Sequence, residues 1–184
     1  NSNQSYYFNG GNSRIVAYPK SKWPSGNTNR TISIWMTGGN KLANLFTFGD
    51  GITANARLSL LLGWGGDSNL AIICQEKDAN FNNRQITDYK WHHVCLVYND
   101  SVFKVLIDGV LVETIHFASG AINTNGDLPL VFGSNSLIRN DEYFAGLLDD
   151  ARVYDRALSA AEVTALFQIE RQFQIVQGAF TWQQ

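Results

Sequence analysis

Asp149 and Asp150 are neighbours in the chain, as are His92 and His93, and adjacency decides what each pair can do. From Leu147 to Tyr154 the side chains alternate like a strand. Leu147, Asp149, Ala151 and Val153 fall on one face, and Leu148, Asp150, Arg152 and Tyr154 on the other. Consecutive strand residues point to opposite faces, so the two carboxylates are not expected to flank one scissile bond. For the same reason the two imidazoles are not expected to chelate one metal ion. Both histidines read as structural, with Trp91 packed beside them in the core, and His116 stands alone near a strand end. No catalytic residue is predicted.

Aromatic side chains in polar loops are the other group able to do chemistry. Trp64 lies in GWGGDSN, followed by Asp67 and Asn69. Phe81 lies in DANFNNR with Asn82, Asn83 and Arg84, and Trp23 lies in SKWPSGN. A ring stacks on the C–H face of a sugar while neighbouring amides and charges pair with its hydroxyls, so these residues are the predicted ligand-binding set. The competing expectation for each ring is that it folds back to cap a sheet edge.

Composition narrows the partners. Only 16% of the 184 residues are charged and the formal net charge is -2. Lys and Arg form no cluster longer than a pair, which argues against nucleic acid as a partner. No apolar run reaches the ~18 residues needed to enter and cross a bilayer. The N-terminal NSNQS has neither a basic nor an apolar segment, and the single methionine is Met36, so the chain is expected to be a mature protein or an excised domain. Cys74 and Cys95 both sit in apolar strand patterns and are expected to be buried thiols.

These residues must be positioned by strands. Eleven are predicted: 6–8, 15–18, 31–37, 45–48, 58–62, 70–75, 91–98, 103–107, 110–116, 130–132 and 145–154, separated by turns rich in Gly, Asn and Asp. Asp108-Gly109 between two alternating runs predicts a two-residue hairpin turn with positive φ at both positions. After Leu158 the period changes. Ser159 and Glu162 form a capping-box pattern, and Val163, Leu166 and Phe167 make an apolar helical stripe. The reading is all-β, with one short helix near the C-terminus and a single domain over 1–167. Residues 168–184 are an extension or linker, and helix, strand and linker are all open for them.

Three segments carry a resemblance: FNGGNSRI followed by TISIWM, then YKWHHVCLVYNDSVFKVLIDGVLV, then FAGLLDDARVYDRALSAAEVTAL. In this order they resemble the laminin-G-like, pentraxin-related jelly rolls of the concanavalin A-like lectin/glucanase superfamily. The resemblance implies a jelly-roll sandwich of two antiparallel sheets with the first and last strands adjacent. Ligand sites are implied on the concave face or on the loops at one rim. It also implies calcium as a cofactor. In the related glucanases a similar closing strand holds a structural calcium, which carries over to Asp149 with carbonyls around Asn9 to Gly11. The alternative is that Asp149 bonds N–H groups of the first strand without metal. A rim calcium would fall near Asp50 and Asn135, but the loop after Gly133 lacks the acidic triplet of pentraxins, so that site is expected to be weak or absent.

The E-x-D-x-x-E spacing of the related glycosidases is missing, and so is the Y-x-K-x-G-x-Y-x-Q pattern of the related polysaccharide lyases. The expected function is therefore a non-catalytic carbohydrate-binding, lectin-like module of a larger secreted or cell-surface protein, with a glycan or polysaccharide as partner. The alternative is a laminin-G-type spacer that docks a protein partner, and a hydrolase or lyase comes third.

Overall fold

The computed structural model describes residues 5–178 except 20, 22, 40–41, 66–68, 83–85, 118–119, 136–138 and 140. Its elements are β1 (Tyr6–Asn9), β2 (Ile15–Ala17), β3 (Arg30–Gly38), β4 (Ala43–Gly49), β5 (Arg57–Leu62), β6 (Asn69–Ile73), β7 (Ala79–Asn82), β8 (His92–Asn99), β9 (Val102–Ile107), β10 (Val110–His116), β11 (Leu130–Phe132), β12 (Ala145–Tyr154) and α1 (Ala160–Gly178). Two six-stranded antiparallel sheets form, ordered β1-β12-β3-β8-β9-β10 and β2-β11-β4-β5-β6-β7. The first and last strands are neighbours, as the resemblance implied.

The two sheets bury their facing side chains in one core. Ile32, Ile34, Met36 and Leu96 come from the first sheet, and Phe48, Leu58, Leu60 and Ile72 from the second. Each set recurs at every second residue, so alternation in the sequence becomes one dry face per sheet. Cys74 belongs to this core, whereas Cys95 lies under α1 on the outer face of the first sheet. Both thiols are free and buried. Burial pushes the Cys95 thiol up to about 12, and that of Cys74 higher still.

Asp108 and Gly109 adopt φ of 51° and 76°, the mirror-image turn that their sequence predicts. The capping box also forms: the Ser159 amide donates to Glu162 Oε2 at 2.8 Å, and the Glu162 amide to Ser159 Oγ at 3.2 Å. Beyond residue 167 the chain stays helical to Gly178, so over 168–178 the helix is the one formed of the three open readings, and 179–184 lie outside the described residues.

Three sequence readings need correction. First, β7 is a twelfth strand: its Ala-Asn-Phe-Asn is poor in strand formers but pairs with β6 at the sheet edge. Second, Trp91 is half-buried and lies on the outer face rather than in the core. Third, the alternation along β12 breaks at a bulge. Asp149 pairs with Trp35 but Arg152 pairs with Ser33, leaving one extra residue, and Asp150 takes φ of 43°. Leu148 and Val153 therefore both reach the core, which strict alternation forbids.

Candidate ligand-binding site

Strand parity builds an exposed recess on the outer face of the first sheet. Phe8 is buried, so its neighbour Tyr7 must face outward, and it is 72% exposed. Tyr7 pairs with Leu147, and Leu147 with Thr37. Met36 pairs with His92, so Trp91 is next in register to Thr37. The row Tyr7–Leu147–Thr37–Trp91 thus crosses four strands on the outer face of the first sheet. It lines a recess of about 570 Å³ together with Tyr89 and the backbone at Gly38 and Gly146. Glycine is required at 146, because a Cβ there would stand 2.1 Å from the Thr37 carbonyl oxygen.

The turn before β8 presents Tyr89. This residue is 69% exposed and holds φ of 63°, a left-handed conformation that costs a non-glycine residue about 1–2 kcal/mol. Its neighbours impose the conformation. Asp88 Oδ1 accepts from the Lys90 amide at 2.9 Å and lies 3.0 Å from His92 Nε2. On its other side, His92 Nδ1 lies 2.8 Å from Asp108 Oδ2. A carboxylate at each nitrogen favours the imidazolium, which can donate to both, and the hydrogen bond to Asp108 is the largest cause of its raised pKa. Asp88 is pulled well below the carboxylate range, first by the Lys90 amide and then by His92.

One row further along the same face, α1 covers the sheet. Phe167 stacks on Trp35 with ring centroids 5.7 Å apart. Glu170 is buried, accepts from Trp35 Nε1 at 2.8 Å and is bonded to Arg152 Nε. Burial pushes its pKa up, against the opposing pull of Trp35 and Arg152. His93 is fully buried beside these rings, with neither ring nitrogen hydrogen-bonded and Nε2 3.6 Å from Glu170 Oε2. That distance is too long for a hydrogen bond, and desolvation lowers the His93 pKa to about 4.

The predicted ligand set disperses. Trp64 is 40% exposed at the β5–β6 turn, where its carbonyl accepts from Asn69 Nδ2 at 3.4 Å. Asn82 pairs with Asn69 along the β6–β7 ladder, so these three are neighbours. Phe81 is only 9% exposed and packs in the core, because β7 turns its ring inward. Trp23 packs edge-on against Phe48 at 6.2 Å. Both rings cap the core rather than offer a platform. Asp67, Asn83 and Arg84 lie outside the described residues.

The implied calcium groups are also separated. Asn9 pairs with Ala145, four residues along β12 from Asp149, a distance of about 13 Å that no single ion spans. Asn9 Oδ1 accepts from the amides of Gly11, Asn12 and Ser13, and Asp149 Oδ1 accepts from the Asp150 amide. Asp50 follows the end of β4 and caps its own loop, accepting from Ile52 N, Thr53 N and Thr53 Oγ1. Asn135 is buried and donates to Asp141 and Glu142. Glu142 also takes Asn44, at the start of β4, and Arg57, so Asn135 serves to pin a loop to the second sheet. Among the described residues no group of three or more His, Cys, Asp or Glu could hold a metal ion.

Asp149, Asp150 and Ala151 line one cleft of about 250 Å³, with Phe8, Ile34 and Leu148 as apolar walls.

Two facing antiparallel sheets with a helix on one outer face define the class of jelly-roll sandwich. The family model for laminin-G-type domains of the concanavalin A-like lectin/glucanases superfamily matches residues 9–164, and the chain belongs to that family. No curated protein matches it in sequence. Among solved structures it is similar to the Botulinum neurotoxin serotype D binding domain, with 15% identity and a TM-score of 0.68, covering 90% of this chain and 42% of that one. The chain thus spans well under half of that binding domain. It is also similar to the Ruminococcus gnavus IT-sialidase CBM40, with 17% identity, a TM-score of 0.68, and 89% and 96% of the two chains covered. The SAP-like pentraxin from Limulus polyphemus follows, with 15% identity, a TM-score of 0.62, and 85% and 82% covered. At these identities the likeness is one of fold. No helix among the described residues is long and apolar enough to cross a membrane.

Proposed function

We propose that this chain is a non-catalytic, glycan-binding module of a larger secreted or cell-surface protein, and that the recess of Tyr7, Tyr89 and Trp91 is its binding site. The observation that carries this reading is the exposed aromatic row across the first sheet, with Tyr89 held in a strained conformation beside it. Strain of this kind persists where surrounding contacts over-determine it, and it clusters at ligand sites. Rings at both ends and glycine backbone between them suit the flat C–H face of a sugar. Membership of a lectin-containing superfamily and likeness to a toxin binding domain support a binding role over a catalytic one. The cleft beside Asp149 and Asp150 is apolar on its other walls, with few groups for sugar hydroxyls. Calcium has no part in this reading.

A glycan array on the wild type and on Tyr7→Ala is the test. Binding of a glycan class that Tyr7→Ala abolishes supports the proposal, and a flat response from folded protein refutes it. A flat response would favour the protein-docking alternative, for which there is a specific observation: Val110, Leu111 and Val112 are exposed consecutively on β10, an edge strand.

A further inference from the structure

We infer that the recess takes an internal stretch of a neutral, linear glycan, rather than a chain end or an anionic sugar; this rests on the glycan-binding reading above. Length is the first argument. Tyr7 on β1 and Trp91 just before β8 are three strand spacings apart, about 14 Å, which is longer than one sugar ring. The row is also open at both ends. Tyr7 lies on β1, the edge of its sheet. Beyond Trp91 there is no further strand at that level among the described residues, because the β8–β9 ladder begins only at Val94 with Ile107. Among the described residues, a chain laid across the strands can therefore enter past Tyr7 and leave past Trp91 without meeting a wall that would recognise a terminus.

Charge is the second argument. The described residues that line the recess carry no carboxylate, ammonium, guanidinium or imidazole. Two described cations next to it in sequence have carboxylate partners: Lys90 Nζ lies 3.0 Å from Asp88, and His92 lies between Asp88 and Asp108. Among the described residues that line the recess a sialic or uronic acid would meet no positive charge, and its carboxylate would lose hydration without a partner. Neutral pyranoses lose nothing of the kind.

Calorimetry separates the possibilities, using cello-, xylo- and manno-oligosaccharides of increasing length beside sialyllactose, oligogalacturonate and oligoalginate. Affinity for one neutral series should rise about tenfold or more between the disaccharide and the tetrasaccharide. The monosaccharide should not compete, and added salt should leave the affinity unchanged. Tyr7→Ala alters a residue 72% exposed, so the fold is retained while the gain with length is lost. Competition by a monosaccharide as strong as by the tetrasaccharide overturns the internal-stretch inference. Salt-sensitive binding of an anionic glycan that depends on Tyr7 overturns the neutral one. Either result leaves glycan binding itself standing, whereas no binding by any saccharide removes the underlying reading as well.

Discussion

Asp88 Oδ1 lies 3.0 Å from His92 Nε2, and this contact ties the turn that presents Tyr89 to the first residue of β8. The same imidazole reaches Asp108 in the β9–β10 turn, so the exposed recess and the hairpin share one side chain. The two histidines that the sequence reads as structural are a brace, His92, and a buried packing residue next to it, His93.

The brace depends on pH. His92 has its pKa raised above 6.5 in the folded protein, so its stabilising contribution is complete below 6.5 and is lost as pH rises through the higher folded value. Glycan affinity should therefore fall on the alkaline side, and His92→Phe should abolish that dependence. An NMR titration of the His92 ring placing its pKa at or below 6.5 would contradict this.

His93 acts in the opposite sense. Its folded pKa is depressed to about 4, so it stabilises the fold above 6.5 and that contribution is lost as pH falls from 6.5 towards 4. The loss amounts to roughly 3 kcal/mol at most. Denaturant unfolding of wild type and His93→Phe across this range should show a shallower acid slope in the variant.

Tyr89→Gly separates strain from binding. Glycine tolerates φ of 63°, so stability should hold or rise by up to about 1 kcal/mol. Glycan affinity should nevertheless drop about tenfold as the ring is lost. A thermal melt beside calorimetry reads both, and a stable variant with undiminished affinity would exclude Tyr89 from the site.

The helix beyond residue 167 is predicted to matter for folding. Glu170→Ala leaves the Trp35 indole N–H buried without its acceptor and Arg152 without its main partner, at a cost of about 2–3 kcal/mol. Urea unfolding should show a lowered midpoint, and truncation after Phe167 should reproduce it.

Local signals were legible in the sequence, and non-local ones were not. The Asp108-Gly109 turn and the Ser159–Glu162 box each depend on a few adjacent residues, and both form as predicted. The β12 bulge inserts one residue and reverses facing after Asp149, which an alternation pattern cannot register. Trp91 was misplaced because β8 is buried on both faces, by the core on one side and by α1 on the other, so burial pattern cannot tell inside from outside. The recess draws on residues near 7, 37, 90 and 146, four stretches that only sheet order brings together. Among the predicted aromatics, Phe81 and Trp23 had the loop composition of a platform and yet serve the core.

The most direct test of the central claim is an NMR titration of the labelled protein with a neutral tetrasaccharide that it binds. Shifts in the amides of Thr37, Gly38, Tyr89, Trp91, Gly146 and Leu147, with Trp64 and Asn69 unmoved, are the predicted result. Shifts centred on Trp64 and Asn69 would place the site on the second sheet and contradict the account.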